Sequence, residues 1–226
     1  MSRAMNGGRT SRQPWLRPLL AAAALIGGLA LMTNAGWLHA KAALAQVLIE
    51  KAWRENLAEG RPQSRPWSWA DTMPVGRLEF VRQRESMVVL AGDSGRVLAF
   101  GPGHRSDTPL PGAPGNSVIS AHRDTHFRVL GRVGTGDLIR VEALDGQIRV
   151  YRVEERRVID MHDLTVTEQH GVDALTLVTC WPLDAVVPGG PERLVVTARR
   201  IDTTSVRTPI TGSAGGHVSA RVRQAS

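Results

Sequence analysis

The alternation of hydrophobic and polar positions changes character three times along the 226 residues. From Pro18 to Ala40 there is no Lys, Arg, Asp or Glu, and Leu19 to Met32 is almost continuously apolar. A bilayer core about 30 Å thick needs about 20 helical residues, so the run predicts one N-terminal transmembrane helix over 18–40, with Trp37 where an interfacial ring would sit. From Lys41 to Glu59 there is no Gly or Pro, Leu44, Val47, Leu48 and Leu57 recur at helical spacings, and Gly60 stops the pattern, which predicts a juxtamembrane helix. Pro62 and Pro66 then break any helix twice, making the stretch through residue 72 an extended connector and a domain boundary. Its Trp67 and Trp69 are expected to cap a core instead of binding a ligand.

Beyond residue 73 the pattern becomes a series of short β-rich runs separated by turn residues. The candidate strands are Val75–Phe80, Ser86–Leu90, Val97–Phe100, Ser117–His122, Leu138–Ala143, Gln147–Val158, Leu175–Cys180 and Arg193–Arg200. Asp145-Gly146 predicts a hairpin with a type I′ turn, whose two central positions both require positive φ. With no long amphipathic helix between the runs, the pattern argues against a parallel α/β sheet and for an antiparallel, mostly closed β domain over 73–201. The tail over 202–226 is rich in Thr, Ser, Gly and Arg with little apolar content, and is expected to be disordered.

Composition changes this picture little. Hydrophobic residues make up 42% and charged residues 22%, which excludes a collagen-like, wholly disordered or multi-spanning chain. The net charge of +7 raises nucleic acid as a partner. Its arginines are scattered or terminal, with no stripe interleaved with aromatics, so no nucleic-acid binding is expected. Direction of insertion does follow from charge: Arg3, Arg9, Arg12 and Arg17 precede the apolar span and no basic residue follows until Lys41. The basic segment 1–17 should therefore stay in the cytoplasm, with everything beyond the anchor exported to the far side of the membrane. A cleaved signal peptide ending near Ala40 and Ala42 is the alternative, and it exports the domain equally.

Three residues stand at the ends of different candidate strands. Cys180, the single cysteine, closes Leu175–Cys180 just before Trp181-Pro182, and no intramolecular disulfide or Cys-rich metal site can form. It reads either as a small buried hydrophobe or as a reactive thiol. Keeping an unpaired thiol in an oxidising compartment favours the second reading. His122 closes Ser117–His122 and can exchange protons with a thiol across a groove. It is also a surface histidine or half of a metal pair with His126, although a spacing of four aligns side chains on a helix and not on a strand. Arg193 opens the last strand after a Pro- and Gly-rich loop; it is either a solvated charge or a permanent donor to a developing oxyanion.

The run Thr176-Leu-Val-Thr-Cys180, with Ala121-His122 upstream at one strand end and Arg193 downstream at another, resembles the sortases. More narrowly, Gly101-Pro-Gly-His104, Gly115-Asn116, His122-Arg-Asp-Thr-His-Phe127 and Pro188-Gly-Gly-Pro191 are similar to the Gram-negative class GN branch. Ser120-Ala-His departs from the Ala-Gly-His usual there, which bears on groove shape. The resemblance implies a mainly β fold, a closed eight-stranded sortase-type barrel with short helices. It also implies a membrane-anchored cysteine transpeptidase in which Cys180 attacks the Thr carbonyl of an LPxTG-like sorting signal on an exported protein, Arg193 holds the oxyanion and His122 shuttles the proton. An amine acceptor in the envelope then resolves the thioester. By analogy with the family motif Thr179 helps to line the substrate pocket, while His104 and His126 are structural. No cofactor or metal is expected. The alternative function is an anchored, non-catalytic β-barrel binding or scaffold module. Papain-like enzymes carry the opposite Cys–His order, and chymotrypsin-like ones need two barrels.

Overall fold

The computed structural model describes residues 16–169, 171–185, 187 and 189–202, with side chains at only part of the positions between 16 and 39. The segment expected at 1–17 lies outside the described residues except for its last two, and the tail expected at 202–226 does so except for Asp202.

The segments expected as an anchor at 18–40 and a separate helix at 41–59 run together as one helix, α1 (Leu16–Glu59). Gly60, at φ 67°, ends it in the left-handed conformation that closes many helices. Among the described residues no helix is long and apolar enough to cross a membrane. The span expected at 18–40 falls partly on side chains outside the described residues. The second half of α1 is a packing helix: Ile49 and Trp53 are buried with Val88, Leu90, Val97 and Leu144 on the outside of the barrel. Asn56 is fully buried and ties the helix end to the connector. Its Nδ2 donates to the Ser64 and Pro74 carbonyls at 3.1 and 3.0 Å, and its Oδ1 accepts from the Gln63 and Ser64 N–H groups at 3.0 and 2.6 Å. Trp67 meets Phe100 edge-on at 5.0 Å, but Trp69 is 82% exposed and caps nothing.

The domain is an eight-stranded closed barrel: β1 (Pro74–Phe80), β2 (Glu85–Ala91), β3 (Gly103–His104), β4 (Asn116–Ser120), β5 (Leu138–Ala143), β6 (Ile148–Asp160), β7 (Ala174–Cys180) and β8 (Glu192–Ile201). The order around it is β1-β2-β3-β4-β7-β8-β6-β5, with β5 closing back on β1. Alternate residues of each strand point inward, so Leu78, Phe80, Ile119, Ile139, Tyr151, Leu175, Leu177 and Val196 fill one core.

Three expectations need correction. Val97–Phe100 is not a strand: Gly95–Leu98 forms a single helical turn, α2, which buries Val97 against Leu90 and leaves the backbone to turn at Ala99. The third strand is instead Gly103–His104, and only glycine fits at 103, because a Cβ there would stand 2.3 Å from the Gly92 carbonyl oxygen. The sheet is mixed, since β2 pairs with β3 and β4 with β7 in parallel. The hairpin at Asp145-Gly146 is present, but only Gly146 has positive φ, 74°. Gly146 N–H bonds the Ala143 carbonyl at 3.0 Å and Ala143 N–H bonds Gln147 at 3.1 Å, giving a three-residue loop with a left-handed glycine. The longer loop lets Leu144 reach Trp53 and Ile49.

Candidate functional site

Register brings the strand ends together. In the antiparallel pair β7–β8, Cys180 faces Arg193 directly. The next rung is hydrogen-bonded, Trp181 N–H to the Glu192 carbonyl at 3.0 Å, which makes Cys180 and Arg193 a non-hydrogen-bonded pair with Cβ atoms about 4.5–5.5 Å apart. In the parallel pair β4–β7, Ser120 is level with Val178 and Ala121 N–H donates to the Val178 carbonyl at 3.2 Å. β4 ends at Ser120, two residues before His122, so the strand expected at Ser117–His122 stops short and His122 stands in the segment that leaves β4. Cys180 and Arg193 thus share one rung of the β7–β8 ladder, with His122 just past the end of neighbouring β4.

Alternation then determines which face they share. Leu175 and Leu177 point into the core, so Thr176, Val178 and Cys180 line the outer face of β7; Val195 and Thr197 continue that face on β8, and Val118 and Ser120 on β4. Cys180 is half-buried and His122 exposed. On the same face, below that rung, the β6–β7 connection arches over the strands through a 3-10 turn, Leu164–Thr167, and encloses a cavity of about 270 Å³. Thr176, Thr197, Asn116, Val166, Glu155 and Arg157 are among its walls. Four residues separate Thr176 from Cys180, about 13 Å along an extended strand. Asn116 holds this connection down, donating from Nδ2 to the Val166 carbonyl at 2.9 Å and accepting from Thr176 Oγ1 at 2.8 Å.

Arg193 is half-buried and anchored: its Nη1 donates to the Gly190 and Glu192 carbonyls, both at 2.8 Å, and Nη2 lies 4.0 Å from Met161 Sδ, a weak acceptor. Among the described residues its Nε has no acceptor. Thr179 does not face the groove expected of it. It lies on the core-facing side, 2% exposed, and its Oγ1 donates to the Ala121 carbonyl at 2.7 Å, which locks the β4 end beside β7 one residue before His122.

Burial holds the His104 imidazole below its usual value, outweighing bonds such as that between Nε2 and the Pro109 carbonyl at 2.9 Å. His126 opens the 3-10 helix His126–Arg132 and is likewise held below its ordinary value, first by burial and then by the nearby His122 charge. Among the described residues no three His, Cys, Asp or Glu side chains cluster as a metal site would require.

One residue escaped the sequence reading. Arg123, directly after His122, is 4% exposed and bonds three backbone carbonyls of the loop that follows Cys180. A charged residue inside the His-Arg-Asp run was visible, but nothing in one sequence says that such a charge is buried.

Comparison with known proteins adds an independent finding. A sortase domain model matches residues 80–201, more than half of the chain. Sortase D of Bacillus subtilis (strain 168) is 31% identical over 127 residues, covering 56% of this chain and 63% of that protein, so the chain spans less than two thirds of that relative's length. Among solved structures, sortase C-1 of Actinomyces oris superposes with a TM-score of 0.52 at 30% identity, over 57% of this chain and 75% of the other. A sortase D5 transpeptidase of Clostridium perfringens gives 0.55 at 23% identity, over 69% and 99%, a likeness of fold alone.

Proposed function

The chain belongs to the sortase family, and from that premise we propose that it is a cysteine transpeptidase that cleaves an LPxTG-like sorting signal and passes the exported protein to an amine. The observation that supports the reading is the rung Cys180–Arg193 at the end of β7 and β8, beside the segment that leaves β4 with His122. Their chemistries are those of a nucleophile, a fixed cation and an acid/base.

The reaction follows from what each group can do. The Cys180 thiolate adds to the threonine carbonyl carbon, and the carbonyl oxygen takes up the negative charge. Arg193, its Nη1 tied to two carbonyls, turns its remaining donors to that oxygen, Nη2 leaving its weak contact with Met161 Sδ. Collapse of the tetrahedral adduct breaks the C–N bond, and the proton carried by His122 goes to the departing glycine amine. A thioester on Sγ remains. An acceptor amine then attacks it, gives its proton to the now neutral imidazole, and expels the thiolate; one amide has been exchanged for another. The cavity beneath the β6–β7 connection lies on the same face and suits the residues that precede the scissile bond.

The chain is held at the envelope by its N-terminal helix, with the barrel on the outer side of the inner membrane. This rests on the uncharged run 18–40 and on Leu25, Ile26 and Met32, 69–76% exposed on α1. Assignment to the class GN branch rests on the strings quoted above.

Full-length protein in detergent, incubated with an LPxTG-type peptide and examined by mass spectrometry, tests the reading. The expected result is an acyl adduct on Cys180, absent in Cys180→Ala, that added amine converts to a new amide. No adduct, together with a Cys180 that resists iodoacetamide in the folded protein, would return the chain to the scaffold reading.

A further inference from the structure

Cys180 and Arg193 are joined by the loop 181–191, and what holds that loop is unusual in its origin. Arg123 Nη1 donates to the Pro182 carbonyl, and its Nη2 to the carbonyls of Ala185 and Val187, each at 2.9 Å. Among the described residues its only carboxylate partner is Asp124, at 3.3 Å and 67% exposed. A guanidinium this deeply buried is retained at a desolvation cost that a neutral side chain would avoid. A rigid five-donor fork is what three carbonyls on one irregular loop require, and a lysine ammonium cannot span them.

The position of Arg123 gives this arrangement a consequence. It is the residue after His122, and it is buried where His122 is exposed, so neighbouring side chains turn opposite ways from one backbone. One looks to the groove and the other grips the loop that leaves Cys180 and returns to Arg193. Thr179 makes the complementary tie, from β7 to the Ala121 carbonyl.

Resting on the transpeptidase reading above, we infer that Arg123 is a positioning residue, which sets the distance between the His122 imidazole and the Cys180–Arg193 pair by binding the β7–β8 loop to the His122 segment. It touches no reacting atom. Its loss lets the loop lift and carries the nucleophile and the oxyanion donor out of line with the acid/base.

The experiment uses the full-length protein with Arg123→Lys and Arg123→Ala, and Cys180→Ala as control. Melting temperature establishes that each variant folds. Amide hydrogen exchange is read over residues 181–192, and transfer of an LPxTG-type peptide to an added amine gives kcat and KM. For Arg123→Lys the expected result is exchange about tenfold faster in the loop and unchanged in β1, β2 and β5. With it, kcat falls about 10–100-fold while KM changes little, as for a catalytic geometry displaced by about 1 Å. Methylguanidinium should restore part of the kcat of Arg123→Ala and none of Cys180→Ala. Unchanged loop exchange, or a loss of rate matched by the unfolded fraction, overturns the inference. If wild-type protein transfers no peptide, the function is wrong; the loop exchange still decides whether Arg123 is the tie.

Discussion

Two walls of this barrel are built from the same strand grammar and do different work. In the wall β2-β1-β5-β6 the strands run antiparallel and two of the three joins are short hairpins, β1–β2 and β5–β6. At those two hairpins the turn covers the strand ends, and α1 packs across the outer face. In the wall β4-β7-β8 the first pairing is parallel, between strands far apart in sequence. A parallel pair delivers both C-terminal ends to one edge, where neither can be closed by a short turn. The antiparallel β8 begins at that edge, adding a third end. The hairpin wall spends its side chains on packing; the parallel wall leaves polar side chains at an open edge, where the proposed chemistry is placed.

Substitutions should separate the two walls cleanly. The largest effect belongs to Cys180→Ala: transfer of an LPxTG-type peptide should drop by about 10⁴-fold or more, with the melting temperature unmoved, because the half-buried thiol fills no core position. His122→Asn should cost about 10²–10⁴-fold in kcat. For Arg193→Lys the expected loss is about 10²–10³-fold, that of one oxyanion donor; if the lysine variant transfers at the wild-type rate, the guanidinium is only a loop anchor. The hairpin wall should show the mirror image. Ile139→Ala, at a position fully buried in β5, should lower unfolding free energy by about 2–5 kcal/mol in denaturant titrations while kcat per folded molecule stays put. Gly146→Ala places a side chain at φ 74° and should cost about 1 kcal/mol in the same titration.

What could be read from one sequence follows the same division. The hairpin wall was legible because its information is local: alternation in Val75–Phe80 and Leu138–Ala143, and a turn signal at Asp145-Gly146. Even there the turn type was missed, since Leu144 takes its conformation from Trp53, nearly a hundred residues away. β3 was illegible: two residues carry no periodicity, and Gly103 is required by a close approach to Gly92 that only the fold creates. Val97–Phe100 has a strand-like composition, yet one helical turn buries Val97 equally well. In the other wall, that Cys180 ends a strand and Arg193 stands at the start of one was visible locally, whereas His122 falls two residues past the observed end of β4. That β4 and β7 run parallel is a non-local fact, and it brings their two ends to one edge. Thr179 and Arg123 were hidden for a related reason, because their roles are defined by carbonyls of other segments.

The smallest predicted effect is also the one that tests the comparison most directly, since acid should loosen the two walls in different ranges. Next to the parallel wall, His104 on β3 is held neutral by burial, its value lowered from 6.5. Between the folded value and 6.5 the unfolded chain binds the extra proton, so stability is full above 6.5 and falls as the pH drops below it. In the hairpin wall, Asp137 is pulled down to about 2 from 3.8, first by its bond with the Arg82 guanidinium. There too the unfolded chain binds more protons between the two values, but the stabilisation is complete above 3.8 and is lost only as the pH falls from there toward 2. Arg82 is 60% exposed, so salt should weaken the Asp137 contribution and leave that of buried His104. Amide exchange, corrected for its intrinsic pH dependence, should therefore show β3 and β4 opening as the pH falls below 6.5 while β1 and β5 stay protected down to 3.8. His104→Gln should erase that first phase, and Asp137→Asn should flatten only the acid limb below pH 4. Simultaneous opening of both walls in wild type and both variants would mean that the barrel is one cooperative unit in acid, with no division of stability to match its division of labour.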